Sequence, residues 1–194
     1  MNTSVFHDYD HYDFKQRLSI GKLKENQIAD CLSKHYGFKL NEVSDKEDIY
    51  EKIDRHWVQE DGSVKKVQIK TRTKSSGNDI LLDIFEPFFG IKNDKTKPGR
   101  DMKGSYDIYI CLDKHEKVIR VIDGKRQKEV VEEVLQEWAD ADYQLRVFDS
   151  RKYPGVQIRY HVDRSNHRPK VLMFLNPDIY KEGTEIWHYE MKTQ

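Results

Sequence analysis

One segment of this chain constrains its fold more than any other. In residues 64–73, Val67, Ile69 and Thr71 alternate with Lys66, Gln68, Lys70 and Arg72. Successive side chains of a strand point to opposite faces, so this pattern specifies a half-buried strand with one apolar and one strongly polar face. The turn signal Glu60-Asp61-Gly62-Ser63 precedes it, and residues 49–58 before the turn carry a further strand-like run. Together the two arms read as a hairpin. Charge is segregated across it: residues 64–74 hold five bases and no acid, whereas residues 42–61 hold eight acids against three bases. A site that handles phosphates through a metal needs both, acids for the cation and bases for the polyanion. Two solvated faces of opposite sign are the bland alternative.

The rest of the chain supplies a setting for that hairpin. Residues 1–18 are polar and aromatic without clear periodicity and read as an N-terminal arm. From Ser19, a plausible N-cap, Ile20, Leu23, Ile28, Cys31, Leu32, His35 and Tyr36 share one helical stripe that ends at Gly37. Short strands are expected at residues 38–43, 80–85, 106–112 and 118–122, with an exposed basic loop at 90–104. A second amphipathic helix is expected over residues 124–141, with Val130, Val131, Val134, Leu135 and Trp138 inward. The tail from residue 142 reads as short strands at 144–148, 156–162, 170–175 and 185–189. The order predicts an α/β (α+β) fold: a core over residues 19–141, with a central mixed β-sheet flanked by helices, and a β-rich C-terminal extension over 142–194 packed on it.

Composition bounds the function. The chain has 194 residues, 37% hydrophobic and 35% charged, with formal net charge zero. That length suits one sizeable core, and the 11 Tyr and 8 Phe give it bulky material despite the low mean hydropathy. Cys31 and Cys111, the only cysteines, fall in helix and strand interiors, as buried thiols of a reducing compartment do. No apolar run reaches membrane-spanning length and no secretory leader is evident, so a cytoplasmic protein is expected. Neither a Ser-centred triad nor a phosphate-binding Gly-rich loop is present, which removes support for acyl transfer and nucleotide hydrolysis. His7 and His11, among Asp8, Asp10 and Asp13, would share a helical face, but no Cys or further His stands at a supporting spacing.

The chemistry collects on the hairpin. Phosphodiester hydrolysis needs a cation at the non-bridging oxygens and an activated water. Asp54 at the end of one arm and Gln68 on the other can offer oxygen ligands to such an ion, and Lys70, two residues on, shares a face with Gln68. Glu25, in line with Ile28, Leu32 and Tyr36 on the first helix, is placed to face the sheet as a further acid.

Gly21-Lys22-Leu23-Lys24-Glu25, Ile53-Asp54-Arg55, the turn after it and Val67-Gln68-Ile69-Lys70-Thr71 resemble the PD-(D/E)XK nuclease superfamily, which includes restriction endonucleases and Holliday junction resolvases. The resemblance spans roughly residues 19–140. It implies a restriction-endonuclease-like core and a Mg²⁺-dependent DNA endonuclease, with Mn²⁺ able to substitute. Asp54 would be the essential metal ligand, Gln68 would stand where a second acid usually stands, and Lys70 would be the catalytic lysine. Glu25 would be the helix acid acting through water, and the backbone carbonyl of Ile69 a further ligand. Two residues depart from the pattern: Ile53 replaces Pro, and Gln68 supplies a neutral oxygen where an acid is usual. DNA is the implied partner, with Lys66, Arg72, Lys74, Arg100 and Lys103 as backbone contacts, and cutting both strands calls for a homodimer. A catalytically silent module of the same shape that binds DNA or a protein partner is the alternative.

Overall fold

The computed structural model describes residues 14–71, 80–86, 97–98, 102, 104–112, 118–141, 147–162, 169–180 and 189–190. Helix α1 (Phe14–Tyr36) is followed by β1 (Lys39–Glu42), a π-helical turn (Glu47–Glu51), β2 (Arg55–Val58) and β3 (Val64–Thr71). Next come β4 (Ile80–Glu86), β5 (Lys97–Pro98), β6 (Ile108–Leu112), β7 (Val118–Asp123) and α2 (Gly124–Asp140). Strands β8 (Val147–Asp149), β9 (Gln157–Val162) and β10 (Pro169–Leu175), a 3₁₀ turn (Pro177–Tyr180) and β11 (Tyr189–Glu190) complete the order. No helix among the described residues is long and apolar enough to cross a membrane.

The strands form two sheets. The first has the order β1-β2-β3-β6-β7-β11, with β3 and β6 parallel and the other pairs antiparallel. This is the central mixed sheet that the sequence led us to expect, and the fold is α+β. The second, β5-β4-β10-β9-β8, is antiparallel. It joins β4, from the middle of the chain, to the tail strands.

Alternation along β3 and β6 decides what each face of the mixed sheet meets. Val67 and Ile69 on β3, with Ile108, Ile110 and Leu112 on β6, pack with Ile28 and Leu32 of α1. Tyr109, Cys111 and Ile122 face the other way, into a core shared with Val130, Val131, Val134 and Trp138 of α2 and the second sheet's Ile80, Leu82, Ile84, Met173 and Leu175. Two apolar layers therefore enclose the mixed sheet, and truncating one of their fully buried aliphatic side chains removes about 2–5 kcal/mol of stability.

Local chemistry sets the ends of these elements. Gly37 adopts φ 68° and its N–H donates to the Ser33 carbonyl at 3.1 Å, closing α1 in the left-handed cap that glycine favours. Asp123 caps α2 by accepting from the Arg126 N–H at 2.8 Å. The next residue must be glycine, because a Cβ on Gly124 would stand 2.8 Å from the carbonyl oxygens of Tyr106 and Asp107. That close approach lets the Gly124 N–H donate to Asp107 O at 2.7 Å and ties α2 to the start of β6. Asp107 in turn accepts from the Lys66 N–H at 2.8 Å and joins β6 to β3.

Three expectations need correction. Helix α1 begins at Phe14, so Ser19 lies inside it and the last part of the expected arm, residues 14–18, is helical. The run 49–58 is not one strand: residues Glu47–Glu51 form a π-helical turn ended by Lys52 at φ 58°, and β2 starts only at Arg55. The acids of that segment fall on the turn, where no ladder partner is needed. Cys31 is only partly buried, although Cys111 is enclosed; neither forms a disulfide.

Candidate active site

The site begins where β2 stops. The Asp54 N–H donates to Val67 O at 2.8 Å, and its carboxylate accepts the Ile69 N–H at 2.5 Å. Beyond Asp54 the chain leaves for the π-helical turn, with the Ile53 N–H donating to Glu47 O at 3.2 Å. The β2-facing edge of β3 at Ile69 would otherwise hold an unpaired amide, which costs free energy when buried. Asp54, 8% exposed, satisfies that amide with its side chain. Amide and carbonyl of a strand residue face the same side in an antiparallel ladder, so the Ile69 carbonyl opens to the same edge.

Arg55 fixes this arrangement to α1. Its guanidinium donates to Asp54 O at 2.8 Å and to the Asn26 Oδ1. Asn26 adjoins Glu25, so one buried arginine holds the helix acid and the strand-end acid in register. Glu25 responds to its surroundings. Burial first, then the negative charges of Asp54 and Asp48, push its carboxyl up to about 7, against the opposing pull of Arg55 and Lys70. Glu25 thus senses the charges of Asp54, Lys70 and Arg55, and Asp48 acts on it from the π-helical turn.

Gln68 and Lys70 flank Ile69 and share the sheet face opposite α1. Gln68 is only 1% exposed, so the polar face is covered at this position, where a half-buried strand was expected. Its carboxamide oxygen is sealed from solvent and has no hydrogen-bond partner among the described residues. It lies toward Gly104, where a Cβ would come within 3.5 Å of it and within 2.8 Å of the Tyr106 ring. A buried acceptor without a donor is unfavourable, and a cation or its bound water is one group that satisfies such an oxygen.

The remaining predicted contacts divide. Lys66 pairs with Glu51 at 3.3 Å, so part of the charge contrast between the basic strand and the acidic segment is neutralised across the hairpin. His56 and Glu47, 3.1 Å apart, tie β2 to the π-helical turn. Arg72, Lys74, Arg100 and Lys103 lie outside the described residues, as do His7 and His11. Among the described residues no three His, Cys, Asp or Glu side chains form a ready metal cage. The oxygens at this strand end come instead from a mixed set of carboxylate, carboxamide and backbone carbonyl. Sequence reasoning missed Asp48, Arg55 and Gly104. Arg55 directly follows the candidate acid and could have been found there, whereas nothing local marks Asp48 or Gly104.

No protein-family model and no curated protein matches the chain. A solved structure of a bacterial homing endonuclease matches at 18% identity and a TM-score of 0.37, over 58% of this chain and 70% of that one. That likeness is too distant to assign chemistry.

Proposed function

We propose that this chain is a metal-dependent DNA endonuclease of the PD-(D/E)XK type. The observation that carries the reading is the coupling of Glu25, Asp54 and Lys70 around the edge of β3. Burial first, then repulsion from Asp54 and Asp48, lifts Glu25 to about 7, and a cation would relieve both the repulsion and the cost of ionising there. The unsatisfied Gln68 oxygen and the open Ile69 carbonyl edge are hard oxygen donors of the kind Mg²⁺ prefers. Asp54, Gln68 and the Ile69 carbonyl would hold Mg²⁺ or Mn²⁺, with Glu25 acting through water. Such an ion supplies charge neutralisation at the phosphate and a water of lowered pKa.

The chain's own groups do the rest. Lys70 orients the attacking water and offsets charge that develops on the phosphoryl oxygens. Glu25, with a carboxyl titrating close to neutrality, accepts and returns a proton of that water. Arg55 keeps Glu25 and Asp54 at a fixed separation through Asn26 and the Asp54 carbonyl. Cleavage of both strands calls for two copies of the chain.

A second reading, a module that binds DNA without cutting it, draws on two observations: the Gln68 oxygen lies toward Gly104, and the Asp54 carboxylate already accepts the Ile69 N–H. A cleavage assay on supercoiled, linear and four-way-junction DNA with Mg²⁺ or Mn²⁺ separates the two. Wild type should cut while Asp54→Ala and Lys70→Ala do not. Cutting that survives both substitutions removes the proposal, and salt-sensitive binding without cutting favours the second reading.

A further inference from the structure

The end of the hairpin away from Asp54 carries a cleft of about 400 Å³, between the C-terminus of α1 and the turn that joins β2 to β3. Asp54 and Gln59 are five residues apart, so the cleft stands about 16 Å from the candidate active site. Its volume suits one small ligand or one inserted side chain. The wall is aromatic. Phe38, 6% exposed, stacks on Trp57 with ring centroids 4.0 Å apart and meets Tyr36 at 6.1 Å. Trp57 and Tyr36 are only partly buried, and both border the cleft.

The polar groups around this wall are mostly electronegative. Helix α1 ends at Tyr36, so the negative end of its dipole adjoins the cleft. Glu60 and Asp61 add carboxylates from the turn. Asp61 is committed there: it accepts the Ser63 N–H at 2.9 Å, and hydrogen bonds from Ser63 hold its carboxyl below the ordinary range, with Lys65 a lesser influence. Glu60 is exposed and pairs with no cation among the described residues. Lys39, exposed at the start of β1, is the base on this wall. Gln59 adds a donor. The turn uses its backbone, whose N–H donates to Ser63 O at 2.8 Å and whose carbonyl accepts the Gly62 N–H at 3.0 Å. Its Nε2 is out of contact with solvent and has no acceptor among the described residues. A donor left in that state is unfavourable. Since no hydrogen bond holds the carboxamide, rotating it into the cleft that Gln59 borders breaks none.

We propose that this cleft binds an arginine residue of a protein partner. The planar guanidinium lies against Tyr36 and Trp57 and forks onto the Glu60 carboxylate, and the carbonyl of the same residue accepts from Gln59 Nε2. Ring faces, helix end and carboxylate all favour a cation in one place. The same groups repel phosphate, so a nucleic acid is the wrong occupant. The inference stands apart from the endonuclease reading, because it uses none of the groups around Asp54 and Lys70.

The test titrates the ¹⁵N-labelled full chain with acetyl-Gly-Arg-Gly-amide and follows its amide and indole N–H signals. The same peptide with Lys or Glu in place of Arg, and deoxyadenosine monophosphate, serve as comparisons. The Arg peptide should move the Trp57 indole and the amides of residues 36–39 and 59–61 in a saturable way. The Lys peptide should bind several-fold more weakly, because an ammonium cannot stack or fork, and the Glu peptide and the nucleotide should leave these signals in place. Glu60→Arg should weaken binding by at least about tenfold through like-charge repulsion. Gln59→Met should weaken it several-fold while melting at or above wild type, because an unmet donor has gone. If Gln59→Met fails to fold, Glu60→Gln, a conservative change at an exposed position, decides by a several-fold loss of its own. No saturable shift with the Arg peptide, equal shifts with the Lys peptide, larger ones with the nucleotide, or undiminished binding by any folded variant overturns the proposal. DNA cutting by wild type is scored separately, so failure here leaves the endonuclease reading standing.

Discussion

Replacing Glu25 by glutamine should stabilise the protein without metal while impairing the activity proposed for it. The folded-state carboxyl titrates at about 7, against an ordinary 4.5, chiefly through burial and then through Asp54 and Asp48. The folded chain thus holds this proton more tightly than the unfolded chain does. Linkage fixes the direction: below pH 4.5 both states are protonated and no penalty exists, whereas stability falls as pH rises from 4.5 toward 7 and stays reduced above it. At about 1.4 kcal/mol per pH unit the full shift is an upper bound of about 3 kcal/mol. Glu25 keeps part of its surface in water, and solvent screening roughly halves that to about 1.5 kcal/mol. For a chain of this size the gain on substitution corresponds to a melting point higher by about 3–6 °C. The assay is thermal unfolding of wild type and Glu25→Gln in EDTA at pH 5 and pH 8. The variant should lead at pH 8 and nearly coincide with wild type at pH 5. Equal melting points at pH 8, or an equal offset at both pH values, would make Glu25 an ordinary helix-surface glutamate and dissolve the acid cluster.

The other expectations address different parts of the site. Asp54→Ala should abolish cutting and also cost about 1–3 kcal/mol in EDTA, since the buried Ile69 amide loses its acceptor; denaturant unfolding reads the second effect independently of activity. Gln68→Glu should lower the metal-free melting point by burying an acid, and raise the affinity for Mg²⁺ measured by calorimetry; unchanged affinity would exclude residue 68 from the ligand set. Arg55→Lys cannot reach both Asn26 and the Asp54 carbonyl, so kcat should fall by at least about tenfold with little change in the salt dependence of DNA binding. Gly124→Ala should destabilise by more than about 1 kcal/mol through its clash with the Tyr106 and Asp107 carbonyls, and a neutral result in urea unfolding would contradict the close approach of α2 to β6.

Some of this arrangement was legible because it follows from period and punctuation. The alternation around Val67 and Ile69, the Gly37 stop and the inward face of α2 are local signals, and the elements stand where those signals put them. Pairing of β4 with β10 was not legible, since it joins residues from Ile80 onward to residues near 175 and no local pattern encodes that choice. The π-helical turn was misread for a related reason. Its Ile49, Tyr50 and Ile53 imitate a strand, but burial of Ile53 and the left-handed Lys52 turn the backbone away before any ladder forms. Asp48 belongs to the cluster only because that turn folds back toward α1. Burial of Gln68 was equally hidden, because it depends on Gly104 and Tyr106 arriving from a distant part of the chain.

These hidden elements bear on why residue 68 is a glutamine. Glu25 already senses two other acids, Asp54 and Asp48, opposed by Arg55 and Lys70. A further carboxylate next to this group, at a position 1% exposed and without a donor, would have to be protonated or permanently matched by a cation to fold. A carboxamide keeps the oxygen and omits the charge. The acid that the strand forgoes is supplied instead from the π-helical turn and from α1, where partial exposure makes ionisation less costly. On this argument the glutamine does not by itself mark a lost activity. It places negative charge on the π-helical turn and α1 instead of the buried strand, and it lets residue 68 be buried with no cation beside it.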